Sequence, residues 1–316
     1  MLITFQTTAA AVAQIFAMGA LGFYLIKSRL IHESGLRILS FLSVNVFFPL
    51  FIFNQILKNF DLSRMPFWWQ FPLINISLVV TGLGIALLAS WRHRGHQKDG
   101  FVAASALHNA GYIPLLMLMS LPLGPAAGEL YACIILSIIG FDTCLWSLGV
   151  WLMTRSQSPH MDFRKMINPP LVSMAAAIII TLVFGRGCIP EAVLKPVKIL
   201  GDAAMGVAMI VIGGNLALSS LKQVNWPRVT GAVLIKLMLL PSLALLVVPL
   251  LKLNPWVALV AMIQSCMPSS ITLSIIGRNY ETKNQDLVNQ IIFMTHFLSI
   301  ITIPVFLGLY GKLTHF

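Results

Sequence analysis

Apolar stretches alternate with short polar connectors along almost the whole chain. A helix needs about 20 mainly apolar residues to cross a lipid bilayer. Ten stretches come close to or exceed this length: 5–26, 36–56, 67–90, 101–121, 129–153, 171–187, 201–221, 229–251, 255–276 and 287–310. The pattern therefore predicts an all-α integral membrane protein with ten transmembrane helices, which we call spans 1 to 10.

The first stretch is expected to be a retained span rather than a cleaved signal peptide. It lacks a basic start, its apolar part is long, and Lys27 and Arg29 follow directly. A cleaved signal sequence has a basic n-region and a shorter apolar core.

The longest polar connector, residues 154–170, divides the pattern into two halves of five spans. When a unit with an odd number of spans is duplicated in tandem, the second copy must enter the membrane upside down. Many secondary transporters have such inverted repeats. We therefore predict a first five-helix repeat in residues 1–154 and a second, inverted repeat in residues 155–316.

Spans 4 and 9, the fourth span of each half, carry helix breakers and polar residues at matching positions. Span 4 reads LHNAGYIPLLM and span 9 reads IQSCMPSSITL. Proline removes a backbone donor, and in hydrocarbon the freed backbone groups must find other partners. Matched interruptions of this kind indicate the binding site in inverted-repeat transporters. We predict crossover helices here, with these substrate-binding residues: Asn109, Gly111, Pro114, Pro268, Ser269 and Ser270.

A simple kink is the alternative interpretation of each proline. Pro and Gly are frequent in transmembrane helices, and Pro49, Pro241 and Pro304 lie inside spans 2, 8 and 10. The prediction of a binding site therefore depends on the combination of proline with polar residues in both halves.

Composition and charge support a membrane protein. Hydrophobic residues make up 58% of the chain and charged residues only 10%, whereas soluble domains carry roughly 25% charged residues. The net charge of +11 does not indicate nucleic acid binding, because the basic residues lie in the connectors between apolar stretches.

The basic residues also predict the orientation. The connectors after the odd-numbered spans hold thirteen Lys and Arg residues, and the opposite side holds seven. Cytoplasmic loops carry the excess of Lys and Arg. Both termini are therefore expected outside, in a protein of the bacterial inner membrane.

Two charged residues fall well inside the predicted spans, away from the span ends: Asp142 in span 5 and Lys236 in span 8. Charge within a membrane is costly and is a functional hypothesis by default. They are candidates for ion coupling, and a structural ion pair between two helices is the alternative. Lys236 could also extend to the interface along its aliphatic stem. His108, beside Asn109, is a candidate proton carrier.

Other residues in the spans predict helix contacts. Asn45 and Asn215 lie in spans 2 and 7, where interhelical hydrogen bonding is common. Gly206, Gly213 and Gly214 in span 7 predict close approach of a neighbouring helix.

Signatures of enzymes, metal sites and cofactors are not found in the sequence. It contains no H-E-x-x-H, G-x-S-x-G or Walker A motif. Its four cysteines form no C-x-x-C pair, so neither a zinc site nor a disulfide framework is predicted. We expect a protein that is not an enzyme and that needs no metal or cofactor.

Five segments occur in an order that resembles a known family. They are VNVFFPLFIF in span 2, HNAGYIPLL in span 4, Asn168-Pro169-Pro170 before span 6, GDAAMGVAMIVIGGNLAL in span 7 and MPSSITLSIIGRNY in span 9. The set is similar to the auxin efflux carrier family, which includes plant auxin carriers and bacterial malate or malonate permease-like proteins.

The resemblance implies a scaffold of helices 1, 2, 6 and 7 and a transport domain of helices 3–5 and 8–10. It implies an organic anion bound near the crossing, with elevator-like movement, and it adds Asn168 as a substrate contact. The short central connector is similar to that of bacterial members, which favours a small mono- or dicarboxylate. Coupling to H⁺ or Na⁺ and assembly as a homodimer are compatible with this picture.

Two alternatives stay open at this point. A sodium-coupled symporter of the bile acid transporter type shares the general architecture, but it predicts acidic ligands at the crossing, which is poor in carboxylates. A membrane-embedded sensor or channel is the alternative outside the carriers.

Overall fold

The computed structural model describes residues 4–91, 95–121, 127–155, 167–185, 187–218 and 224–314. Their regular structure is helical, apart from an isolated β-bridge. The helices are α1 (Phe5–Lys27), α2 (Glu33–Asn59), α3 (Gln70–Ala89), α4a (His96–Ala106), α4b (Tyr112–Ser120), α5 (Ala127–Thr154), α6 (Pro169–Phe184), α7 (Glu191–Leu218), α8 (Trp226–Leu250), α9a (Pro255–Ser265), α9b (Thr272–Asn279) and α10 (Gln285–Thr314).

Seven helices in the described part of the chain are long and apolar enough to cross a membrane: α1, α2, α3, α5, α7, α8 and α10. This confirms the predicted class, an all-helical integral membrane protein. The helix α6 has 16 residues and is shorter than a typical span of about 20. Spans 4 and 9 are each divided into two short helices. The count of ten spans therefore stays a prediction.

Asparagine caps followed by proline define where three helices of the second half begin. The Asn168 side-chain oxygen accepts a hydrogen bond from the Leu171 amide at 2.9 Å, just before α6. Asn225 and Asn254 cap α8 and α9a in the same way. Asparagine satisfies a free helix N–H, and proline in the first turn loses no intrahelical bond. The sequence therefore encodes these starts locally.

Glycines bring α1 and α7 into close contact. A side chain at Gly213 would collide with the backbone of Gly19, and one at Gly214 would meet Leu36. The predicted close approach is confirmed at these two positions. At Gly206 the structure shows open space instead, so that part of the prediction is wrong.

The helices pack in two groups. In one group, α1 packs along α7, and α2 packs against both α6 and α7. In the other, α3 contacts α4a, α5 and α9a, while α10 contacts α4a and α8. Contacts between the groups include α1 with α4b and α10, and α2 with α5. The two broken helices belong to the second group.

Candidate functional site

The breaks in the two divided helices meet each other inside the protein. Residues 107–111 separate α4a from α4b, and residues 266–271 separate α9a from α9b. An antiparallel β-bridge between His108 and Ser269 joins the two segments. The predicted interruptions in spans 4 and 9 are therefore real breaks rather than kinks, and they contact each other.

Backbone groups released by one break are satisfied by the other. The Asn109 amide donates to the Pro268 carbonyl at 2.8 Å, and the Ser270 amide donates to the Leu107 carbonyl at 3.0 Å. Buried backbone groups need such partners because no water is available in hydrocarbon. The crossing is thus a short two-stranded contact in which each break supplies hydrogen-bond partners for the backbone groups of the other.

Polar side chains satisfy the carbonyl end of α4a. The Ser269 hydroxyl donates to the Ala104 carbonyl at 2.7 Å, and the Lys236 ammonium donates to the Ala106 carbonyl at 3.1 Å. Both donors are buried, and Lys236 is only 1% exposed. The last turn of α4a is therefore capped by residues distant in sequence.

A buried hydrogen-bond network surrounds the crossing. His108 Nε2 bonds with the Asn75 side-chain oxygen at 3.0 Å, and the Asn75 amide donates to the Ser137 carbonyl at 2.8 Å. The Gln264 amide donates to the Ala110 carbonyl at 3.0 Å and to the Ser137 hydroxyl at 3.1 Å. The network therefore links α3, α5 and α9a to the first break.

A small cavity, which we call the crossing cavity, lies between the first turns of α4b and α9b. Its volume is about 70 Å³, roughly twice the volume of about 30 Å³ that one water molecule occupies in the liquid. Apolar side chains from α2, α5, α7 and α9b form much of its wall. Its polar lining consists of Ser43, Asn109, Tyr112, Asp142, Ser270 and Thr272.

Both half-helices that begin at this cavity lack a side-chain cap. The N-cap residues are Gly111 for α4b and Ile271 for α9b, and neither side chain caps its helix. A helix N-terminus carries unpaired N–H groups and positive partial charge. Two such ends at one cavity favour a negatively charged group.

Asn109 lines the crossing cavity. The side chain is buried, and it makes no hydrogen bond within the described part of the chain. Buried amides normally have partners. The Asn109 carboxamide is therefore available to hydrogen-bond a molecule in the cavity.

Asp142 reaches the crossing cavity from α5. The side chain of Asn168, the cap of α6, lies near the Asp142 carboxyl group. Asn168 therefore adjoins the site through Asp142.

The predicted substrate contacts divide into two sets. Three line the crossing cavity: Asn109, Gly111 and Ser270. Four lie beside it: Pro114, Pro268, Ser269 and Asn168. Pro114 is in the first turn of α4b, and Ser269 directs its hydroxyl to the end of α4a. These residues shape the crossing rather than the wall of the cavity.

The two intramembrane charges do not pair in this structure. Lys236 forms no ion pair within the part of the chain described, and its ammonium contacts α4a instead. Because Lys236 is buried, the expectation that it extends to the interface is also not met. Asp142 faces the crossing cavity and contacts Asn168.

Sequence reasoning missed two members of the network, Asn75 and Ser137. Each lies in an apolar stretch, and Asn75 is the only asparagine of α3. The signal that could have identified Asn75 is a strong hydrogen-bonding group in an otherwise apolar helix. The polar residues expected to join helices differ in role: Asn45 bonds to Phe41 of its own helix, whereas Asn215 accepts from Arg278.

Comparison with known proteins agrees with this geometry. The membrane transport protein family matches residues 7–162 and 153–307. An uncharacterized transporter of Methanocaldococcus jannaschii is 25% identical over 285 residues, which cover 87% of this chain and 89% of that protein. The chain therefore belongs to the membrane transport protein family of auxin efflux carrier-like transporters.

Proposed function

We propose that this transporter is a secondary active carrier of a small organic anion, a mono- or dicarboxylate. One observation carries the proposal: two uncapped helix N-termini meet at a buried cavity that the free Asn109 carboxamide also lines. Positive helix ends and an amide donor suit a carboxylate group. Asn109 would donate to that carboxylate, and Ser270 would add a hydroxyl contact.

The proposed architecture is ten spans in two inverted five-helix repeats. In this arrangement α4a with α4b, and α9a with α9b, each complete one span, and α6 is a short span. The two breaks then occupy the fourth position of each repeat, as in carriers whose site lies at the repeat interface. From the loop charges we propose that both termini lie outside and that the protein is in the bacterial inner membrane.

Movement of the elevator type is supported by the position of the crossing cavity. The cavity lies between the two helix groups: Asn109, Asp142 and Ser270 come from one group, and Ser43 and Ile212 come from the other. We propose that α1, α2, α6 and α7 form the scaffold and that the remaining helices carry the site past it. Such displacement would expose the cavity to each side of the membrane in turn.

Asp142 is the proposed coupling residue. A substrate carboxylate and an ionised Asp142 in one small cavity repel each other. A proton bound together with the substrate removes this repulsion. We therefore propose H⁺ as the coupling ion, with Asp142 as its acceptor and Asn168 holding the carboxyl group in place.

The experiment that tests the function is counterflow in proteoliposomes with a panel of labelled mono- and dicarboxylates, chosen after a thermal-shift screen of the purified protein. A bound ligand raises the melting temperature. We expect saturable exchange with at least one small carboxylate. Flux that never saturates would indicate a pore, and exchange of neutral or cationic solutes only would refute the anion assignment.

A further inference from the structure

The carbonyl end of α4a is an electrostatically negative place inside the protein. A helix C-terminus carries negative partial charge, because its last carbonyls have no intrahelical partners. In transporters with broken helices, such half-helix C-termini and unwound carbonyls hold the coupling cation, commonly Na⁺. The corresponding end here is turned toward the crossing and is buried.

The side-chain amino group of a lysine of the chain itself already occupies this place. Lys236 lies 130 residues away in sequence, on α8, and its ammonium donates to the carbonyl of Ala106, the last residue of α4a. No carboxylate pairs with Lys236 in the described ranges. The negative end of α4a is therefore the main group in the described ranges that can stabilise a positive charge on Lys236.

Neighbouring carbonyls are also satisfied by protein donors. Ser269 donates to Ala104, and the Ser270 amide donates to Leu107. A sodium ion needs several oxygen ligands with free lone pairs directed at one point. With the Lys236 side chain in place, the helix end has little room for such a cage, and protonated Lys236 supplies the positive charge that a bound ion would supply.

We propose that Lys236 is a tethered cation that replaces a coupling sodium ion at the end of α4a. The chain then needs no Na⁺ to assemble the crossing. The consequence for coupling rests on the proposed carrier function: substrate transport should be independent of Na⁺. Lys236 acts here as a positioning residue, since it holds the first break and lies outside the wall of the crossing cavity.

The test compares melting temperatures of the purified protein in sodium chloride and in choline chloride at equal ionic strength. Wild type should melt at the same temperature in both salts. Lys236→Ala removes the ammonium and leaves space beside the Ala106 carbonyl, so it should melt lower in choline and show a saturable upward shift with Na⁺. Lys236→Arg keeps a cation and should show no Na⁺ response. Lys195→Ala, at an exposed lysine of α7, is the matched control.

Two results would overturn the proposal. One is saturable stabilisation of the wild type by Na⁺, which requires no variant and remains decisive if Lys236→Ala does not fold. The other is a folded Lys236→Ala protein that responds to Na⁺ no more than wild type. Because these measurements use salt alone as the probe, failure to find a transported carboxylate would count against the proposed function and not against this assignment.

Discussion

The two breaks have the same topology but different chemistry. The carbonyl end of α4a is capped from outside, by Lys236 of α8 and Ser269 of the second break. The carbonyl end of α9a is satisfied mainly by its own local donors, such as the Cys266 amide and the Ser265 hydroxyl, which both bond to Met262. The end of α9a is therefore capped locally, while the end of α4a depends on the packing of distant helices.

The helices that follow the breaks show the same asymmetry. From α5 comes Asp142, an acidic group at the crossing cavity, whereas α10 brings Thr295, whose neutral hydroxyl accepts from the Ser269 amide at 3.3 Å. The helix after the first break thus brings an acidic group to the crossing, and the helix after the second break brings a neutral hydrogen bond. We infer that the first half supplies the proton chemistry, while each half contributes one helix N-terminus to substrate binding.

The largest expected effect is on substrate affinity. Asn109→Ala should weaken carboxylate binding by about 10- to 100-fold, because hydrogen bonds to a charged group contribute about 1.5–3 kcal/mol. The melting temperature should stay near that of wild type, since this carboxamide makes no hydrogen bond to the described protein. Binding is measured by thermal shift with the carboxylate found in the screen. Asn45→Ala, which removes an amide bonded within its own helix, is the control, and equal affinities in the two variants would contradict the assignment.

The next effect concerns proton coupling, for which we propose Asp142 of the first half. Asp142→Asn keeps the shape and hydrogen-bonding capacity of the side chain but cannot titrate. We expect uptake driven by a proton gradient to lose its pH dependence, while counterflow of substrate persists. Asp202→Asn, at an exposed residue of α7, should behave as wild type. An unchanged pH profile in Asp142→Asn, together with lower stability, would identify Asp142 as a structural residue.

Stability should respond to the link between α9a and the first break. Gln264→Leu removes donors to the Ala110 carbonyl and the Ser137 hydroxyl. Leaving buried polar groups without partners costs about 1–3 kcal/mol, so the variant should melt below wild type. Gln70→Leu, at a partly exposed position on α3, should melt close to wild type. If the two variants melt alike, the network is not a main support of the crossing.

The smallest expected effects separate two adjacent serines. Ser269→Ala loses the bond to Ala104 and should reduce stability by about 1 kcal/mol, with substrate affinity retained. Ser270→Ala alters a side chain that lines the cavity, so it should lower affinity a little and leave stability unchanged. Thermal melts with and without substrate measure stability and substrate affinity. If Ser269→Ala lowered affinity and Ser270→Ala lowered stability, the assigned orientations of the two serines would be reversed.

Much of the fold could be predicted from local pattern. Hydrophobic length identifies most membrane-spanning stretches, because the bilayer thickness imposes it. Proline with polar neighbours predicts the breaks in spans 4 and 9, because proline cannot complete the helical hydrogen bonds. Asn109 could be selected as a site residue for the same reason, since it lies in a break that has a counterpart in the other half.

Other features were decided only by the tertiary structure. Sequence suggested a pair between Asp142 and Lys236, yet packing directs Lys236 to α4a and Asp142 to the crossing cavity beside Asn168. Nor does sequence distinguish Ser269 from Ser270, since a short bridge sets which hydroxyl faces the cavity. The amino-acid pattern alone determined where helices form and where they break, because these depend on local hydrophobicity and backbone bonding. Which polar groups meet depended on contacts between different helices, from 26 positions apart for Ser269 and Thr295 to 165 for Ser269 and Ala104, and only the packed helices specify those.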